Sequence, residues 1–233
     1  LSDYLKTLKR STLDVHISRA ELDRGLAVLN RILVDLERCG YPVEIAWVRE
    51  PVQWVDFKPH DPKKSGLCHP WDWWSPWNPT VIRLGTLAIG LSFYEIMEEV
   101  LAKEVKGKWI PVGDAPVPTT KRGVPTIRTQ TRNMPGGRLA VRAYSPYPGA
   151  PWEQFWCEAK RGEWESNPPS IVRTLEMAAP AIADLVEKAW SKHEEDQRRW
   201  EAERKAWEVR EALARQEEAR IQEINRREKA LRK

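Results

Sequence analysis

"SRAELDRGLAVLNRILVDLERCGYPVEIAWV", residues 18–48, is the stretch on which the fold turns. Leu22, Leu26, Leu29, Leu33 and Leu36 recur at helical spacing, which gives an amphipathic helix with one apolar face. Ser18 and Glu21 stand three residues apart just ahead of it. That is the spacing of a capping box, in which each side chain satisfies a backbone donor of the first turn. Arg38 suits the last turn and Gly40 the left-handed exit. "PVEIAWV" follows at once, with Val43, Ile45 and Trp47 alternating onto one face of a strand. Upstream, "TLDVHIS" alternates as well, Leu13, Val15 and Ile17 one way and Asp14 and His16 the other. His16 therefore reads as a solvent-face residue of a half-buried strand, and the chain starts strand–helix–strand.

The periodicity stops between Glu50 and Pro79. This insertion holds "HPWDWWSPWNPT", with Trp71, Trp73, Trp74 and Trp77 among prolines and acids. Order returns in "TVIRLGTLAIGLSFYEIMEEV", where Gly85 punctuates a β-hairpin. A second irregular stretch, residues 113–137, contains no acid after Asp114 but carries Lys121, Arg122, Arg128 and Arg132, with Arg138 just beyond. "GRLAVRAYS" reads as a strand with Arg138 and Arg142 outward, and "PWEQFWCEAK" as another. Asn167 and Pro168 then suit the start of a helix whose buried face is Ile171, Leu175, Ala178, Ile182, Leu185 and Ala189. Pro180 removes a hydrogen bond inside that helix and is expected to bend it.

Composition changes after residue 186. From Glu187 to Lys233 there is neither Gly nor Pro, and acids precede bases by four residues, as in Glu194/Arg198, Glu201/Lys205 and Glu211/Arg215. Such pairs support a solvated helix by about 0.2–0.5 kcal/mol each. Trp200, Trp207, Ala214 and Ile221 fall seven apart, but the second heptad position, Glu203, Arg210 and Glu217, is charged. A coiled-coil seam needs both positions apolar. The tail is thus expected to dock through a narrow stripe centred on Trp200 and Trp207 rather than form a zipper of its own. The predicted architecture is α+β: a mostly antiparallel sheet with two packed helices over residues 1–186, and a long charged helix over 187–233.

The 233 residues are 41% hydrophobic, enough for a sizeable core. The formal charge of +4 permits contact with nucleic acid without requiring it. No run approaches the roughly 20 apolar residues of a membrane span, and no secretory leader is read at the start. The first residue is Leu, so we expect the chain to be cut from a longer one. Cys39, Cys68 and Cys157 lie far apart in odd number, which points to a reducing, cytoplasmic setting rather than a disulfide framework.

"ELDRGLAVLNRILVDLERCGYPVEI", "LGTLAIGLSFYE", "PGGRLAVRAY", a Trp-bearing segment and a Glu/Arg-rich tail follow one another in a fixed order. That order resembles the C-terminal region of a group of uncharacterised bacterial proteins that carry a helix-turn-helix segment ahead of it. The resemblance covers most of the chain from about Leu13. It implies a DNA-associated bacterial protein whose DNA-reading segment lies outside this sequence, and it carries no activity over to particular residues.

Enzymatic signatures are sparse. His60, Asp61, Cys68, His69 and Asp72 share one loop, but without the paired spacing of a metal site, so no metal or other cofactor is expected. No phosphate-binding glycine loop and no nucleophile elbow is present. Glu158-Ala-Lys160 is the sharpest enzymatic option, since it matches the E-x-K half of a magnesium-dependent nuclease site. The plainer reading makes Glu158 and Lys160 solvated strand residues, so that Glu158→Ala leaves folding intact. The tryptophan loop reads either as a lid that builds a small core with Trp47 and Trp54, or as a platform for a protein partner or for unstacked bases. The expected function is a non-enzymatic binding or assembly module. DNA contact, weak and sequence-tolerant, would run through Lys121, Arg122, Arg128, Arg132 and Arg138. A rival reading omits DNA and docks a protein, or a second copy, through Trp71, Trp73, Trp74, Trp77, Trp200 and Trp207.

Overall fold

Strand β4 organises the sheet because it is the longest strand and pairs with four others. In the computed structural model the described residues are 12–46, 50–56, 76–105, 108–113 and 128–231. Seven strands form one sheet: β1 (Val15–His16), β2 (Val43–Ile45), β3 (Thr80–Leu84), β4 (Leu87–Val105), β5 (Lys108–Pro111), β6 (Thr129–Tyr144) and β7 (Glu153–Cys157). The path is β2-β3-β4-β6-β7. One edge of β4 takes β3, then β1, then β5 in succession, and the other takes β6 from Gly90 to Lys103. All pairings are antiparallel except β1 on β4. Among the described residues three helices accompany the sheet: α1 (Leu22–Arg38), α2 (Glu163–Ser166) and α3 (Val172–Leu231). The fold is α+β with a mostly antiparallel sheet, as the hydrophobic periods indicated.

The β3–β4 hairpin turns at Gly85, which takes φ +62°, a left-handed conformation that glycine adopts without penalty. β4 and β6 run well past their apolar cores. Their register shifts between Glu95 and Met97, opposite the Pro135-Gly136-Gly137 segment. This bulge absorbs the proline: β7 flanks β6 only over residues 140–144, so Pro135 has a strand on one side only. Residues 129–137 are therefore strand, not loop as their glycines and proline suggested.

One sheet face carries Ile82, Ile89, Leu91, Phe93, Leu139, Val141 and Ala143, all buried. The buried face of α1 is Gly25, Val28, Leu29, Ile32 and Leu36. Leu22 and Leu26 are exposed, so the helix is rotated from the all-leucine face that the sequence suggested. Two contacts account for this. Gly25 lets the helix approach Ile17 so closely that a Cβ there would lie 2.4 Å from its Cδ1. The Ser18/Glu21 capping box does not form either, because both side-chain oxygens of Glu21 are taken by arginines.

The opposite face is covered by the segment 50–56. Trp54 Nε1 donates to Asp14 Oδ2 at 2.8 Å, Arg142 Nη1 donates to Val55 O at 2.9 Å, and Val52 packs on Ala46, Val81 and Ala88. This strap corrects two expectations. The His16 side chain is only 6% exposed, its Nε2 2.6 Å from Asp14 Oδ1, and Arg142 is buried rather than outward. Asn167 ends α2 instead of starting α3, which begins at Val172 after Pro168 and Pro169 and runs on through Pro180. Ile171, Leu175 and Ile182 are buried there as expected.

The chain divides into two compact units, Leu1–Leu185 and Val186–Lys233. In the second, helical unit, Trp200, Trp207, Val209, Leu213, Ile221 and Ile224 are all exposed. Among the described residues no helix is long and apolar enough to cross a membrane.

Candidate nucleic-acid interface

Beyond the bulge, β5, β4 and β6 form a three-stranded end of the sheet. The register there decides which side chains share a face. Val100 pairs with Arg132, Ala102 with Gln130 on one side and Pro111 on the other, and Glu104 with Trp109. Directly paired residues of antiparallel strands point the same way, so Trp109 and Arg132 lie on one face, with Ala102 between them. Glu104 N donates to Arg128 O, which places Arg128 beside that row. Ala102 is small and fully buried. A larger residue would hold the flanking strands' side chains apart; across alanine they meet. The Arg132 guanidinium lies 4.7 Å from the centroid of the Trp109 ring, and that of Arg128 5.7 Å from it. Both arginines are exposed. Glu104 stands 3.6 Å from Arg128, whose side chain is 74% exposed, so solvent screens that pair. Arg132 has no carboxylate partner among the described residues.

This arrangement gathers two of the five basic residues singled out from the sequence. Lys121 and Arg122 lie outside the described residues. Arg138 does not belong to the platform: its Nε donates to Glu98 Oε1 at 2.8 Å and its Nη1 to the Glu158 carbonyl at 3.1 Å. Trp71, Trp73 and Trp74 also fall outside the described residues, as does Trp47. Trp77 is 44% exposed, and Trp200 and Trp207 are exposed in the helical unit. Trp109 was missed. It is an indole ahead of the long acid-poor stretch, but its meeting with the arginines depends on strand register that the local sequence does not show.

A second charged cluster joins α1, α2 and the bulge, and its geometry is structural. Glu158 is 0% exposed. Arg24 Nη1 donates to its two oxygens at 2.9 and 3.2 Å, the Trp164 amide donates to Oε1 at 3.1 Å, and the Leu139 amide to Oε2 at 2.8 Å. Arg24 continues to Glu21 Oε2 at 2.7 Å and to the Gly137 carbonyl. Arg161 completes Glu21 at 2.5 Å. Burial alone would raise the Glu21 pKa, but the hydrogen bonds and charges of Arg24 and Arg161 outweigh it and hold it below the ordinary carboxylate value. Glu95, also buried, accepts from the Ser18 and Gly137 amides at 2.9 and 2.8 Å. The sequence reading of Glu158 as a solvated residue is thus corrected: the chain after β7 turns into α2 and folds this carboxylate under Arg24. Lys160, two residues on, is exposed, so the E-x-K triplet does not converge.

Under the strap, Asp14 is the hub of a third polar group. It accepts from Trp54 Nε1 and Ser92 Oγ, contacts His16, and its own amide donates to Thr80 Oγ1 at 2.8 Å. The carboxylate, not the imidazole, sits between the serine and the histidine. His16 is therefore not placed to take a proton from Ser92, as a nucleophilic triad requires. Tyr144 lies in the same layer, where burial and then the Asp14 charge push its phenol pKa well up. Among the described residues no group of three or more His, Cys, Asp or Glu is disposed to hold a metal ion. Cys39 is a free thiol.

Fold and surface together define an α+β sheet domain with an exposed arginine–tryptophan platform at one end of the sheet. No family model, no curated protein and no solved structure matches the chain.

Proposed function

We propose that the chain is a non-enzymatic binding module that contacts nucleic acid through the β5–β4–β6 end of its sheet. The observation that carries this reading is the convergence of Arg128 and Arg132 on Trp109, on one face, with only Glu104 in ion-pair reach of the two arginines among the described residues. Guanidinium groups neutralise phosphates and release counterions, and an aromatic among them adds a surface that bases can meet. The acid-poor segment just before Arg128, with Lys121 and Arg122, adds charge in the same part of the chain. The resemblance to bacterial proteins with a helix-turn-helix segment points the same way.

Fluorescence anisotropy with a labelled oligonucleotide at low salt tests this. Wild type binds weakly and without strong sequence preference, and the Arg128→Gln/Arg132→Gln double variant loses most of that affinity while keeping its circular dichroism spectrum. Equal binding by the two proteins would refute the assignment.

A second reading rests on a different observation. In the helical unit Trp200 is 69% exposed, Trp207 57% and Ile221 57%. Large apolar side chains at that exposure favour a protein-docking role for this unit, which can coexist with nucleic-acid contact elsewhere.

A further inference from the structure

We infer that the platform selects single-stranded over duplex nucleic acid, by taking an unstacked base onto the Trp109–Arg132 pair. This rests on the nucleic-acid reading above and adds a ligand form to it.

The first argument is one of width. The platform is a face of three adjacent strands, β5, β4 and β6. Strands lie about 4.8 Å apart, so three backbones span about 10 Å before side chains are counted. The major groove of duplex DNA is about 12 Å wide and admits a helix or a two-stranded ribbon. Three strands with Trp109 and Arg132 standing on them do not fit it. Against a duplex, this surface reaches the phosphates alone.

The second argument concerns what the face offers. Trp109 is half-buried and Arg132 is exposed, its guanidinium 4.7 Å from the ring centroid. Indole and guanidinium are both planar groups on which bases stack, and the guanidinium keeps N–H donors for a phosphate beside the base. Arg128 also lies near this ring, 5.7 Å from its centroid, where it can meet the next phosphate. In a duplex the base faces are covered by their neighbours, so this stacking is open only to a single strand. The chemistry is shared by DNA and RNA.

The test compares four labelled probes of equal length on the full chain: oligothymidylate, oligouridylate, an abasic deoxy-oligomer and a blunt duplex. The expected result is binding to oligothymidylate, oligouridylate or both at least about fivefold tighter than to the abasic oligomer and the duplex. The first two probes tell DNA from RNA. Trp109→Ala should remove the difference between base-bearing and abasic strands, and Trp109→Phe should restore part of it. Equal affinity for base-bearing and abasic strands would overturn the stacking while leaving phosphate contact in place. Tighter binding to the duplex would overturn the selectivity. No binding to any probe at low salt would overturn the nucleic-acid reading itself.

Discussion

The ring of Tyr144 on β6 lies directly on the backbone of Gly90 on β4. A Cβ at position 90 would come within 2.4 Å of the ring, and the two residues are register partners. The Arg142 guanidinium also lies over this ring, 4.7 Å from its centroid. Gly90→Ala therefore pushes a Cβ into a buried ring that must shift to admit it. Overpacking of this kind costs about 1–3 kcal/mol. Urea denaturation should place Gly90→Ala in that range, and a loss below about half a kilocalorie would show that the ring has room to move.

Arg24 and Glu158 form the inner pair of the network that ties α1 to the bulge and to α2. Removing one partner of a buried pair leaves the other charge without compensation, at a cost of about 3–5 kcal/mol. Glu158→Ala should cause a loss of that order, measurable by chemical denaturation, and Arg24→Ala a similar one. In the double variant the destabilisation should fall well short of the sum of the two, because the second substitution removes the stranded charge. Strict additivity would mean that the two side chains do not act as a pair.

Glu21 gives the network an acid-sensitive member. Its folded-state pKa lies below the ordinary value of 4.5, so its stabilisation is fully present above that value. It is lost as pH falls below about 4.5 and through the folded-state value. Glu21→Gln should accordingly be less stable than wild type at pH 7, and the gap should narrow on acidification below pH 4.5. Thermal melts between pH 3 and 7 would show it. A gap independent of pH would mean that ionisation of Glu21 does not stabilise the fold.

The orientation of α1 can be read from three leucines. Leu29 is 7% exposed, whereas Leu22 is 39% and Leu26 45% exposed. Leu29→Ala should cost about 2–5 kcal/mol. Leu22→Ala and Leu26→Ala should each cost distinctly less. Comparable losses at all three positions would restore the all-leucine face that the spacing alone suggests.

That contrast shows where sequence patterns speak and where they stop. The α1 period, the Gly85 hairpin and the uninterrupted charge pattern of the tail are local properties, and all three were legible. The rotation of α1 was not, because it depends on Gly25 meeting Ile17 and on Glu21 pairing with Arg161, 140 residues away. The burial of Asp14, His16 and Arg142 was hidden for the same reason: polar alternation reads as a solvent face until a distant strap, here Trp54 and Val55, covers it. Pro135, Gly136 and Gly137 signalled a loop, whereas a bulge opposite Glu95 and Met97 turned them into strand. In the candidate site Arg128 and Arg132 were legible as charge. Their meeting with Trp109 required the register of three strands.

Whether Arg128 and Arg132 bind phosphates is tested most directly by the salt dependence of oligonucleotide affinity. For a single strand, each phosphate that the protein neutralises adds roughly 0.7 to the magnitude of the slope of log K against log salt concentration. The Arg128→Gln/Arg132→Gln variant neutralises two fewer, so it should bind oligothymidylate more weakly than wild type, with a slope shallower by roughly 1.4. A slope identical to that of wild type, whatever the affinity, would contradict phosphate binding by these two arginines.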